Sequence, residues 1–260
     1  MESDKRFALI TGASGGIGFE LALIMASQKH NLILTARTGK KLENLAKQLR
    51  LKHNVTVHTF TADLAITEER NKLIQFVRSG GFTVEILVNN AGFGDLGPFA
   101  EADQEKLMRM IRLNIEALTR LSHEFLPDML KARYGKILNV ASLAGFMPGP
   151  LMSVYYASKA YVLSLSDALA HETKGTGVTI TSLSPGPVIT GFQEAAEFKN
   201  PALMKMMPSA TAGEVAEFAY NAMMKGKKRA VHGRMHRLAV FLLRFLPVEF
   251  VTPLVSRLHQ

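Results

Sequence analysis

The 260-residue sequence predicts an α/β protein built on a doubly wound parallel sheet. Three observations carry that prediction. Short apolar or β-branched runs alternate along the chain with longer helical patterns. The runs are continuously apolar rather than alternating, which is how strands buried on both faces read. No Pro/Gly/Ser-rich linker, internal repeat or low-complexity segment divides the chain, so residues 1–260 are read as a single domain.

Six strands are expected at Phe7–Thr11, Asn31–Ala36, Val55–Thr59, Val84–Val88, Gly135–Val140 and Val178–Leu183, and a weaker seventh at Arg229–His232. Helices are expected at Ile17–Lys29, Lys40–Lys52, Thr67–Ser79, Glu101–Ala132 and Tyr155–Lys174. The 47% apolar content supplies a core. Cysteine is absent, which excludes disulfides, thiolate catalysis and thiolate metal sites. No signal-peptide pattern opens the chain, and no apolar run approaches the ~18 residues of a membrane span. A soluble, cytoplasmic protein is expected. The net charge is +9, of which +7 falls between Lys199 and Gln260. No nucleic-acid-binding module or basic–aromatic stripe accompanies it, so no nucleic-acid partner is expected.

The first strand runs into TGASGGIG, residues 11–18, and a helical pattern follows at once. Glycines let the backbone turn tightly and approach a ligand, and the free N–H groups of the helix start face an anion. Ser14, Gly15 and Ile17 lie between Gly12, Gly16 and Gly18 in this turn. A turn of purely structural use reads the same way in isolation, but its place between strand one and helix one favours a dinucleotide phosphate. The second strand ends at LTARTGKK. An acidic residue near this point receives the ribose 2′-hydroxyl of NAD, whereas an Arg receives the 2′-phosphate of NADP. No Asp or Glu occurs from Asn31 to Lys41, and Arg37 is present, so NADP(H) is the expected cofactor. A solvated surface arginine is the competing reading.

Residues 155–159 read YYASK. Tyr155 and Lys159 are (i, i+4) and Tyr156 and Lys159 are (i, i+3), so spacing alone does not choose between the tyrosines. Ser142 stands at the end of the GKILNVAS strand, where ligands bind in open α/β sheets. Asn114 is a polar residue in an apolar helical run. Together TGASGGIG, NNAG (89–92), Asn114, Ser142, Tyr-x-x-x-Lys (155–159) and PGPVIT (185–190) resemble, in order and spacing, the classical-type short-chain dehydrogenase/reductases, over roughly residues 5–195.

That resemblance implies a Rossmann-like fold and makes Tyr155 the catalytic tyrosine, with Tyr156 directed into packing. A phenol has an ordinary pKa of ~10, and a nearby ammonium favours the phenolate. Lys159 therefore suits a partner to Tyr155, with donors left for ribose hydroxyls. Ser142 holds a carbonyl oxygen, and Asn114 is implied to hold a water that links Lys159 to solvent. The resemblance places Asp63 and Leu64 on the adenine side, although a helix N-cap is an equal reading of Asp63. It places Asn90, Ala91 and Gly92 along the cofactor path, with Asn89 serving that path or the sheet alone. Pro185, Gly186, Val188 and Thr190 fall beside the nicotinamide and pyrophosphate. His232 and His236 have helical metal spacing without a neighbouring carboxylate, so packing is expected and no metal site.

A substrate lid is implied over residues 191–212. Met204, Met206 and Met207 there, with Met147 and Met152, suit either core filling or a lipophilic carbonyl or alcohol substrate. The last segment, 234–260, loosely resembles the extended C-termini of steroid- and 3-oxoacyl-reductase relatives. Leu238, Phe241, Leu242, Phe245 and Leu246 recur at helical spacing, and Pro247 is expected to end or kink that helix. Packing over the pocket or a subunit contact is the commoner use of such a stripe. Peripheral contact with an anionic membrane is the other. A homodimer or homotetramer is implied by the family likeness. An NADP(H)-dependent oxidoreductase interconverting ketone and secondary alcohol is the leading functional expectation, with a non-catalytic dinucleotide-binding regulator or a membrane-surface protein as the alternatives.

Overall fold

The structure, a computed structural model, describes residues 5–189 and 210–259. Seven parallel strands make one sheet in the order β3-β2-β1-β4-β5-β6-β9. They are β1 (Arg6–Thr11), β2 (Asn31–Ala36), β3 (Val57–Thr61), β4 (Thr83–Asn89), β5 (Gly135–Val140), β6 (Val178–Ser184) and β9 (Arg229–Val231). A separate pair joins β7 (Val188–Ile189) to β8 (Ala210–Thr211). The central strands are buried along nearly their whole length, which is why they are apolar without alternation.

Helices cover both faces. Against one lie α1 (Gly16–Ser27), α2 (Gly39–His53) and α7 (Ala212–Met224), which bury Leu21, Met25, Leu42 and Ala219 with Ile10, Leu34 and Leu138 of the sheet. Against the other lie α3 (Thr67–Ser79), α5 (Leu118–Ala132) and α6 (Ser153–Glu172), which bury Leu73, Phe125 and Ala170 with Leu9, Ile33 and Ile137. The winding direction reverses between β1 and β4. Their carboxyl ends, Thr11 and Asn89, therefore flank the crevice where ligands bind in such sheets.

Two elements differ from the sequence expectation. β3 starts at Val57 rather than Val55 because α2 ends in a left-handed residue, Asn54. The chain then crosses beside Asn31, whose Oδ1 accepts from the Thr56 N–H at 3.0 Å, before the ladder with β2 begins. The long expected helix Glu101–Ala132 is three pieces. α4 (Gln104–Ile111) starts at Asp103, whose carboxylate accepts from the Glu105 N–H. A π turn, Arg112–Ala117, then leads into α5. Past Gly233 come α8 (Arg234–Leu243) and α9 (Val248–His259), and Pro247 falls between them.

Candidate active site

The glycine turn closes where β1, α1 and β4 meet. Gly12 has φ +67°, and a Cβ on Gly18 would stand 2.5 Å from both the Gly12 carbonyl and the Asn90 amide, so only glycine fits these two places. Asn90 Nδ2 donates to the carbonyls of Thr11 (2.9 Å) and Gly12 (3.2 Å). The Thr11 hydroxyl accepts from the N–H groups of Asn90 and Ala91 and donates to Val88. The Asn90 amide therefore braces the turn.

Gly15 is different. Its φ of −176° is ordinary for any residue, and a Cβ there would meet nothing within 4 Å. Among the described residues no packing requires a glycine at that position, and the open space leaves the backbone accessible to a ligand. The N–H groups of Gly16, Ile17 and Gly18 open α1 beside it, and Ser14 is part-buried in the same turn. The Ile17 side chain belongs to the core, so only its backbone can serve a ligand. Arg37, exposed just past the end of β2, is available to a phosphate on the ribose. These features fit a phosphorylated dinucleotide.

The N-cap reading of Asp63 is corrected. The cap of α3 is Ile66, which has no side-chain oxygen to offer. The Asp63 carboxylate instead accepts from the Ala65 N–H at 3.0 Å and forms an ion pair with Arg109 of α4. Leu64 lies in the core, and its carbonyl accepts from the buried Arg70 at 2.8 Å, which leaves its N–H as the group able to reach a ligand. Arg70 and Arg109 carry no local sequence signal for these roles, because their ion-pair partners, Glu116 and Asp63, stand 46 residues away.

The NNAG stretch divides its work. Asn89 is buried, and its amide donates to Ser122 and to Asn139, which in turn donates to Ser166. Asn89 thus ties β4 to α5 and β5, the sheet-only reading. Gly92 leaves room for the polar cluster behind it, since a Cβ would come within 2.9 Å of Asn114 Oδ1 and 3.5 Å of Lys159 Nζ.

Asn114 sits in the π turn, a feature often found at functional sites. Its Nδ2 donates to the Phe93 carbonyl (2.9 Å) and to Ser158 Oγ (3.0 Å), while its Oδ1 accepts from the Phe93 N–H. Ser158 in turn donates to the Tyr155 carbonyl at 2.7 Å. Both donors of the Asn114 amide are thus used within the protein.

Lys159 is buried, and Nζ donates to the Val140 carbonyl at 2.8 Å. Two of its protons remain for other acceptors. Burial lowers its pKa from the ordinary 10.5 to about 8. Tyr155 lies above it, with Nζ 5.7 Å from the ring centre. Burial raises the Tyr155 phenol to about 12, against a smaller downward pull from its hydrogen bond with Ser142. The expected net lowering of Tyr155 by Lys159 is therefore corrected: in the chain alone, desolvation outweighs the favourable groups and the phenol stays protonated. Ser142 also caps the short 3₁₀ turn Leu143–Phe146 by accepting from Ala144 at 3.1 Å.

Tyr156 turns the other way, as expected. Its hydroxyl is 3.0 Å from His259 Nε2, and His259 Nδ1 is 2.7 Å from the Pro150 carbonyl. A carbonyl only accepts, so Nδ1 carries the proton and Nε2 accepts from Tyr156. The tyrosine that the sequence left open is thus a clamp on the end of the chain. His236 likewise packs on Gly186, where a Cβ would meet its ring at 2.3 Å. Its Nδ1 lies 2.9 Å from the His232 carbonyl, so this histidine pair is a packing contact. Pro185 accepts from the Leu143 N–H and Val188 is buried, so this loop is held between the catalytic strand end and the tail. Thr190 and the expected lid up to residue 209, with Met204, Met206 and Met207, lie outside the described residues.

A cleft beside Tyr155 is lined by Phe99, Leu107, Met110, Leu151, Met152 and Val154. Its charged member, Asp95, is paired with Lys106 at 2.6 Å. Met152 serves both this cleft and the core.

Comparison with known proteins agrees with this geometry. The chain is 36% identical over 190 residues to the uncharacterized oxidoreductase YvrD of Bacillus subtilis, covering 73% of this chain and 71% of that one. It is 33% identical over 255 residues to a very-long-chain 3-oxoacyl-CoA reductase of Pyrenophora tritici-repentis, covering 92% and 72%. Among solved structures, a short-chain dehydrogenase from Sphingobium yanoikuyae in complex with NADPH superposes with a TM-score of 0.82 at 31% identity, over 92% of this chain and 94% of that one. A bulky-bulky ketone specific alcohol dehydrogenase from Comamonas testosteroni gives 0.78 at 28%, over 92% of each. The short chain dehydrogenase family model matches residues 6–200, and with the glycine turn, Ser142, Tyr155 and Lys159 gathered at one sheet edge, this chain belongs to the short-chain dehydrogenase family of oxidoreductases.

Proposed function

We propose that the protein is an NADP(H)-dependent oxidoreductase that interconverts a ketone and a secondary alcohol on a lipophilic substrate. The observation that carries this reading is the stack at the end of β5: Ser142 bonded to the Tyr155 hydroxyl, with the buried Lys159 beneath the ring. The glycine turn, the α1 N-terminus, Arg37 and the free protons of Lys159 would hold the cofactor. When bound, the reduced nicotinamide supplies a hydride.

The protein's own groups do the rest. Ser142 and Tyr155 both present hydroxyls to the substrate oxygen, which fixes the carbonyl in place. Tyr155 gives its proton to the oxygen as negative charge develops there. A phenol held near 12 is protonated at neutral pH and ready to donate. In the reverse direction Tyr155 must take up the alcohol proton, and the positive charge of Lys159 favours the phenolate that does so. With both Asn114 amide donors used, a water that resupplies protons would donate to Asn114 Oδ1 or to the main chain of the π turn.

The apolar side chains in the cleft lining, Phe99, Leu107, Met110 and Val154 among them, with Asp95 paired to Lys106, support a lipophilic substrate. The 3-oxoacyl-CoA reductase and the bulky-ketone dehydrogenase among the relatives point the same way. The test is NADPH oxidation against a panel of lipophilic ketones, with NADH in parallel. Turnover with NADPH is expected. Binding of NADPH without turnover on any ketone or alcohol would favour the regulator reading instead.

A further inference from the structure

Nine of the sixteen exposed large hydrophobic side chains among the described residues fall between Met235 and Leu254. In α8, His236 and Val240 face the body one turn apart, at 7% and 8% exposure. Met235, Leu238 and Phe241 lie on the other side of the helix and Phe245 follows just past its end, each 52% exposed or more. In α9, Val251, Val255 and His259 face inward at four-residue intervals, while Phe250 and Leu254 face outward at 73% and 61%. A narrow stripe thus holds the tail to the body and the wide apolar stripe faces away, the reverse of an ordinary surface helix.

Charge follows the same face. Arg237 and the cap residue Arg244 are exposed along one flank of the α8 stripe, Arg234 is exposed at the start of the helix, and Arg257 is exposed on α9. Glu249 is the sole acid from residue 234 to 260. No helix among the described residues is long and apolar enough to cross a membrane.

We propose that this outward face docks on an anionic bilayer surface, with phenylalanine and leucine side chains in the headgroup–acyl boundary and the arginines against lipid phosphates. A second copy of the chain is a poorer occupant. A two-fold contact would set arginine-flanked faces against each other, with Glu249 as the lone offset on each. The docking face rests on Gly186 through His236 and on Tyr156 and Pro150 through His259, so it is carried by the segments that brace the site. A substrate dissolved in the bilayer would meet the enzyme on the side where these segments lie. Membrane binding itself does not depend on the reductase reading and is measured without cofactor.

The experiment is co-sedimentation of the full-length protein with phosphatidylcholine vesicles, with and without phosphatidylglycerol, across a salt series. Salt-sensitive binding to the anionic vesicles is expected, with little binding to the neutral ones. Phe241→Ser with Phe245→Ser should lower partitioning about tenfold or more. Arg237→Glu with Arg244→Glu should do the same, since each arginine at such a surface is worth about fivefold. Both variants should keep the wild-type melting temperature. If either melts early, hydrogen exchange of the wild type decides: protection of residues 234–259 by anionic vesicles supports the proposal, and its absence overturns it. No binding at low salt, or equal binding to both vesicle types, also overturns it. So does a lipid-free dimer that both variants dissolve, because the face would then belong to a second copy.

Discussion

Helices α6 and α8 lie in the same protein and obey opposite rules. In α6 a lysine is buried, and each polar neighbour around it has a partner: Lys159 on Val140, Ser158 between Asn114 and Tyr155, and Ser166 on Val162. In α8 Phe241 is exposed, and a histidine faces the body. A buried charge persists only where hydrogen bonds compensate its desolvation, which is how a site acquires groups with displaced pKa values. An exposed apolar stripe persists without such compensation, and its meaning lies in what meets it. The first region is organised from within, the second toward something outside.

The sharpest break in this comparison is at Tyr155. Tyr155→Phe should lower turnover about a thousandfold, the scale of a lost general acid, with NADPH affinity nearly unchanged. Equilibrium binding alongside steady-state rates checks both halves. Tyr156→Phe should keep most activity, and the reverse pattern would show the two tyrosines to be misassigned.

Arg37→Asp comes next. Loss of a charge-assisted contact with the 2′-phosphate should weaken NADPH about ten- to a hundredfold while NADH is equal or better. A wild-type preference for NADH would refute the role given to Arg37.

The pH dependence tests the buried pair. With Lys159 lowered to about 8, ketone reduction should decline as pH rises through that value, and a kcat/KM profile flat to pH 10 would argue against it. The stability effect has a definite sign. The unfolded chain holds the lysine proton up to about 10.5 and the folded chain only up to about 8, so Lys159 opposes folding below about 8 and that penalty lifts between the two values. Tyr155 acts oppositely: its folded value of about 12 exceeds the ordinary 10, so its contribution is lost as pH rises from about 10 to 12.

The smallest effect is expected at the clamp. His259→Ala removes both hydrogen bonds that seat the end of α9 and should cost about 1–3 kcal/mol, visible as a lowered melting temperature, with turnover largely kept. An unchanged melting temperature would mean that α9 is held by Val251 and Val255 alone.

The sequence by itself determined the order of elements, the doubly wound sheet, the glycine turn and the Ser142–Tyr155–Lys159 set. All of these are written locally, in runs of buried strand residues, in the conformations that glycine alone adopts, and in positions one helical turn apart. The family pattern pointed to Tyr155 where spacing alone did not choose, and the tertiary structure supplied the physical reason: Tyr156 is held away by a histidine 103 residues on. The tertiary structure alone replaced the N-cap reading of Asp63 with an ion pair to Arg109, 46 residues on, and it used both Asn114 amide donors on Phe93 and Ser158. It also set the direction of the tail. A helical apolar period marks an arc of side chains but not whether the arc points inward, and in α8 the smaller arc, His236 and Val240, took the body because it fits the space beside Gly186. Partners far apart in the chain leave no local trace, and burial is a property of two surfaces, of which a sequence segment shows one.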